Sequence, residues 1–134
     1  MRTLPVILCL LAGQALAATP AELAAQYGRE AQASQPGFQA SAERGRSFYT
    51  RNFNVTPDMG SCAACHTQAP QDAGRHAISG KTIKPMAVAA NAERFSDPAK
   101  VEKWFRRNCS EVVGRECSPA EKADFITYLS KVKS

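Results

Sequence analysis

Two cysteines and a histidine lie together in the run Cys62-Ala63-Ala64-Cys65-His66. Two thiols at this spacing with an imidazole immediately after them form C-x-x-C-H, the attachment signature of haem c. Each residue type has a task in that chemistry. The thiols add across the two vinyl groups of haem, and His66 brings its imidazole under the iron as the proximal ligand. A C-x-x-C pair alone also serves thioredoxin-like dithiols and half zinc sites. Here no second C-x-x-C completes a zinc site, and no strand-turn-helix pattern surrounds the motif. One C-x-x-C-H implies one covalent haem.

One haem leaves one axial position to settle, and its occupant decides the chemistry. Methionine with histidine gives a six-coordinate electron carrier of raised potential, whereas a weak or absent ligand leaves iron able to bind O2, NO or peroxide. The candidates are Met86, Met59, His76, Lys84 and Asn108, or no residue at all. Met86 sits in IKPMAVAAN, twenty residues after His66, where a single methionine is more often a packing residue. His76 reads as a solvated loop histidine, and Met59 is too close to Cys62 to reach the far face. Asn108 lies about forty residues beyond His66, far enough for the chain to cross to the other side of a haem. Cys109 and Cys117 follow it and leave two readings open. They close a loop behind a distal ligand, or they staple a small domain in which Asn108 merely ends a helix.

The elements that must position these residues read as helices. Thr19-Pro20-Ala21-Glu22 is a helix start, with a capping Thr, Pro in the first turn and Glu three residues after the cap, and this helix runs to about Ala33 before the turn Ser34-Gln35-Pro36-Gly37. A second begins near Ser41 and carries Gly45 and Phe48 toward Tyr49. A third starts at Asp97-Pro98, with Val101, Trp104 and Phe105 on one face; Phe105 and Trp104 pack either a haem edge or the core, and core is the expectation for Trp104. The fourth begins at Ser118-Pro119-Ala120-Glu121, with Phe125, Tyr128, Leu129 and Val132 at helical spacing. No segment alternates like a strand. Between the cysteine motif and the third helix lie about thirty residues rich in Gly, Pro, Ala and Lys, a length that in a small domain implies a functional loop or one wrapped around a cofactor.

Residues 1–17, with one Arg, a short apolar run and Ala15-Leu16-Ala17 as a small-x-small cleavage site, read as a secretory signal peptide. Leu8 rather than a small residue precedes Cys9, so a lipoprotein is not indicated. Removing this segment leaves one exported domain of about 115 residues with four cysteines, a size at which a covalent staple or buried cofactor adds needed stability. An even set of four in an oxidising compartment also allows two disulfides, but the motif spacing claims two of them for haem. The chain carries a formal charge of +5, and from Ala18 to Gly80 five basic residues balance five acidic ones. The positive excess after Gly80 suits either a solubilising surface or the steering of an acidic protein partner. Basic residues interleaved with Glu and Asp in an exported domain argue against nucleic acid, and no apolar run is long enough to embed the mature chain in a membrane.

With CAACH, SAERGRSF and VEKWFRRNCSEVVGRECSPAEKADFITYL in view, the chain resembles the class I cytochromes c of the sphaeroides haem protein type, small high-spin cytochromes. The resemblance covers about Ser41 to Leu129, and RNC-x-x-V-x-GR-x-C is its most specific part. The family's TGK-x-I-x-P segment looks like SGKTIKP, with Ser79 in place of Thr. The resemblance implies an all-α class I cytochrome c fold over residues 41–134, and the helix start at Thr19 adds an extra helical segment at 18–40 before it. It implies that Cys62 and Cys65 bind haem, that His66 and Asn108 are the iron ligands, and that Cys109 and Cys117 form a disulfide. It gives no reason to expect a ligand at Met86. An amide oxygen is a neutral, hard donor that suits ferric iron and holds ferrous iron poorly, so reduction releases Asn108. The expected function is that of a periplasmic monohaem redox protein that binds or reduces O2 or NO with electrons from a donor cytochrome, dihaem or membrane-bound. A plain electron carrier with Met86 on the iron is the alternative, and a peroxidase or dioxygenase shares the open site but adds turnover.

Overall fold

The computed structural model describes residues 17–133. The expected signal peptide therefore lies, apart from its last residue, outside the described part. Five helices carry the fold in the order α1 (Pro20–Gln32), α2 (Ala42–Thr50), α3 (Cys62–His66), α4 (Pro98–Asn108) and α5 (Pro119–Lys131). Their starts follow from local chemistry. Thr19 and Ser118 each form a full capping box, with Glu22 and Glu121 returning to the cap backbone. Ser41 and Asp97 cap α2 and α4 by accepting from Arg44 N and Lys100 N. Each such cap satisfies backbone donors that the first helical turn leaves free, and replacing a cap by Ala costs about 1 kcal/mol.

α5 packs along both α1 and α2. At the second crossing Gly45 is the residue that allows close approach, because a Cβ there would collide with the backbone carbonyl of Asp124 and come within 2.8 Å of Tyr128 Cβ. Beside it the carboxylate of Asp124, only 5% exposed, accepts from Ser41 N at 2.6 Å and from Arg44 Nε and Nη2 at 2.8 and 2.9 Å. A buried carboxylate is tolerable only when its oxygens are satisfied in this way, and here it fixes the start of α2 against α5. Phe125 then gathers the rings of Phe48, Tyr49, Phe95 and Phe105, with centroids 5.6 to 6.3 Å away, so α2, α4 and the loop before α4 meet on one residue of α5.

α1 is joined to the same core through Leu23 and Tyr27. Tyr27 donates its hydroxyl to Glu102 of α4 at 2.7 Å, and Lys122 of α5 donates to both oxygens of Glu102 at 2.8 and 2.9 Å. The expected absence of strands holds except for a two-residue antiparallel ladder, β1 (Gly74–Arg75) with β2 (Thr82–Ile83). It is too short to leave a period-two pattern in sequence. Among the described residues, no helix is long and apolar enough to cross a membrane.

Candidate haem site

The motif Cys62–His66 is the whole of α3. An isolated helix of five residues is not stable, and three contacts from outside hold this one. Ser61 accepts from Ala64 N at 3.1 Å. The hydroxyl of Tyr49, a fully buried residue of α2, lies 2.9 and 2.7 Å from the carbonyl oxygens of His66 and Thr67. Gly74 of β1 lies flat on the motif, since a Cβ there would overlap the Cys65 carbonyl and approach His66 Cα to 3.0 Å.

Burial pushes the Cys62 thiol up to about 12, with neighbouring Cys65 adding to the effect. The thiolate is the nucleophile in disulfide exchange, so this cysteine is poorly suited to a thioredoxin-like dithiol. Cys65 Sγ accepts from Ala77 N at 3.3 Å. Burial brings His66 down to about 4, helped by the charges of Arg94 and His76. Its ring is therefore neutral at physiological pH, the form that ligates a metal, and its buried Nδ1 has no hydrogen-bond partner.

Asn108 is the last residue of α4, but the chain does not stop there. Its backbone is helical (φ −69°, ψ −35°), and a π-helical turn, Cys109–Val113, continues to Gly114, whose left-handed φ of 77° ends the helix. Gly114 N–H closes the turn on the Cys109 carbonyl at 3.0 Å. Asn108 is thus not the helix terminator. Its side chain makes no capping hydrogen bond and is exposed on the protein. Cys109 and Cys117 lie sulfur to sulfur with Cα atoms 5.6 Å apart, inside the span that a disulfide requires, and so bracket the π-helical turn. Turns of this kind recur at functional sites.

The other axial candidates are differently engaged. Met86 is buried in the core, and its N–H donates to the carbonyl of Pro70 at 2.8 Å, tying it to the segment that leaves His66. His76 is not a free loop histidine: it is half-buried, and its Nδ1 accepts from Ile78 N and Ser79 N at 3.3 and 3.2 Å, closing the β1–β2 turn. Lys84 is exposed and pairs with Glu93 at 3.4 Å. Met59 is half-buried in the loop before the motif.

Trp104 departs from expectation. Val101 and Phe105 are in the core, but Trp104 is 45% exposed. Helical spacing marks an apolar face without saying whether protein or cofactor covers it. The other exposed large apolar residues among the described ones are Val55 and Ile78, at 44% and 69%. Val55 stands over Gly114, Ile78 follows the Ala77 that contacts Cys65, and Trp104 is one turn before Asn108. Two half-buried free thiols and a neutral, largely buried imidazole on one short helix fit a haem attached at Cys62 and Cys65.

Residues 35–129 match a family described as a domain of unknown function, DUF1924. Over 128 residues the chain is 44% identical to the cytochrome c-type protein SHP of Cereibacter sphaeroides, covering 93% of this chain and 95% of that protein. The chain belongs to the SHP-type cytochromes c. A structure of oxidized SHP, described as an oxygen-binding cytochrome c, superposes with a TM-score of 0.76 at 42% identity, covering 84% of this chain and 96% of that one. Cytochrome c'' of Methylophilus methylotrophus is 41% identical over 110 residues, 81% of this chain and 76% of that protein. Its oxidized crystal structure gives a TM-score of 0.77 at 37% identity, covering 86% and 96% of the two chains. The all-α cytochrome c fold expected from sequence is thereby established, and an SHP-type cytochrome c carries covalently bound haem c.

Two residues that shape this SHP-type site carry no local sequence signal, Tyr49 and Arg94. Arg94 donates to the carbonyls of Pro85 at 2.8 Å and Lys84 at 2.5 Å, pinning the long loop, and its charge helps to depress His66. A hydroxyl or guanidinium that serves backbone carbonyls across the fold has no local motif by which to find it.

Proposed function

We propose that this SHP-type cytochrome is a periplasmic redox protein with one haem and an exchangeable distal ligand, Asn108, that binds or reduces O2 or NO with electrons from a donor cytochrome. The observation that carries the reading is the free amide of Asn108 at the end of α4, with helix termination delegated to Gly114. The oxygen-binding description of SHP supports it. Haem, held by Cys62 and Cys65 with His66 as proximal ligand, supplies a one-electron ferric/ferrous couple and, when ferrous, affinity for diatomic ligands. The Asn108 amide oxygen is a neutral hard donor that would favour ferric iron and would be released on reduction. A disulfide between Cys109 and Cys117 holds the backbone behind Asn108 while the side chain moves. Residues 1–17 direct export, residues 18–40 form an N-terminal helical extension, and residues 41–134 are the cytochrome domain. The positive excess after Gly80 steers an acidic donor. Met86, buried and tied to Pro70, has no observation in its favour as a ligand.

The ferric electronic spectrum of the purified protein tests the ligand set. A high-spin charge-transfer band is expected; a sulfur-to-iron band in the far red assigns Met86 and removes the proposal.

The disulfide is tested separately. Protein recovered from the periplasm should resist alkylation at Cys109 and Cys117 until reduced. The Cys109→Ser/Cys117→Ser variant should lose roughly 2 to 3 kcal/mol of stability, the chain-entropy value for so short a loop. The rate of Asn108 exchange should change more than the yield of covalent haem. Two freely alkylated thiols in the untreated protein refute the pairing.

A further inference from the structure

We propose that Trp104 is the wall of the distal ligand site and controls the entry of diatomic molecules once Asn108 has moved away. The inference rests on Asn108 as the distal ligand. Residues four apart on a helix sit one above the other, with Cβ atoms about 5 to 6 Å apart, so within α4 Trp104 lies directly over Asn108. Helical side chains lean toward the N-terminus, so the side chain of Asn108 leans toward the position of Trp104. The two residues flanking this stripe toward the core, Val101 and Phe105, are buried by protein. Trp104 is left 45% exposed, free to border a group placed against Asn108.

The indole is also held in place. The guanidinium carbon of Arg107 stands 5.6 Å from the Trp104 ring centroid, and Arg107 Nε donates to Glu111 of the π-helical turn at 3.0 Å. Trp104, Arg107 and Glu111 form a strap along the outer side of α4, running past Asn108 into the turn that follows it. A stacked cation is worth about 0.5 to 1 kcal/mol at an exposed site, enough to favour one orientation of the ring without locking it. When the small amide leaves, the indole borders the space that opens. Its bulk sets the width of the entrance, and it excludes larger ligands before smaller ones.

The chain has a single tryptophan, which makes the test specific. In hydroxyl-radical footprinting of the ferric holoprotein, Trp104 should be protected to the level of buried Phe105 and become reactive in urea. In flash photolysis of the ferrous CO adduct, Trp104→Ala should raise the bimolecular CO rebinding rate severalfold, and an alkyl isocyanide should gain more than CO. Trp104→Phe should stay near the wild type. An indole oxidised at once in the native holoprotein overturns the proposal, as does a Trp104→Ala variant with unchanged rates for both ligands. An unaltered ferric spectrum in Asn108→Ala sinks the distal-ligand reading and this inference with it. That failure is distinguishable because it is read on a different residue in the other oxidation state.

Discussion

Asn108→Ala should change the ferric spectrum and leave the ferrous spectrum nearly as it is. An alanine methyl cannot donate to iron, so if Asn108 is the ligand, as proposed, the ferric protein should become five-coordinate or take water in place of the amide. On the proposed ligand set the amide would already have left the ferrous iron, so its removal should alter little. The asymmetry between oxidation states is the informative part, because a general loosening of the fold disturbs both. Little loosening is expected: Asn108 is exposed on the protein, its side chain caps nothing, and Gly114 ends the helix without it. Met86→Leu is the control. It conserves volume in the core and should cost under about 1.5 kcal/mol, with both spectra unchanged. If Met86→Leu instead abolishes a low-spin spectrum while Asn108→Ala is silent, the protein is a histidine/methionine electron carrier.

What could be read from sequence was whatever is encoded locally. The starts of α1 and α5 are fixed within a few residues by Thr19 with Glu22 and Ser118 with Glu121, and both capping boxes form. The motif Cys62–His66 is likewise contiguous. The end of α4 was harder, because Asn is as good a helix terminator as a ligand. Only the continuation through Cys109–Val113 to the positive φ of Gly114 shows which residue ends the helix. Trp104 was misplaced because an amphipathic pattern records apolar faces without naming their partners, and in a cofactor protein one partner is not polypeptide. Tyr49, Arg94 and the Tyr27–Glu102–Lys122 contacts join residues distant in sequence, and no spacing rule finds them.

Loss of both motif cysteines should have the largest effect on the protein as a whole. In the wild type, acid-acetone should leave colour on the polypeptide, and the mass should exceed that of the chain by one haem. Thioether bonds survive denaturation, whereas axial bonds to the iron do not. Cys62→Ala or Cys65→Ala should retain some haem through the remaining thioether, at much reduced yield. The double variant should retain none covalently. The structural cost follows from the shortness of α3, which relies on Ser61, Tyr49 and the close packing of Gly74. Without attached haem, apolar surface such as that of Trp104 stays open to water. Haem extracted from the wild type by acid-acetone, or a colourless chain carrying a Cys62–Cys65 disulfide, contradicts the covalent site.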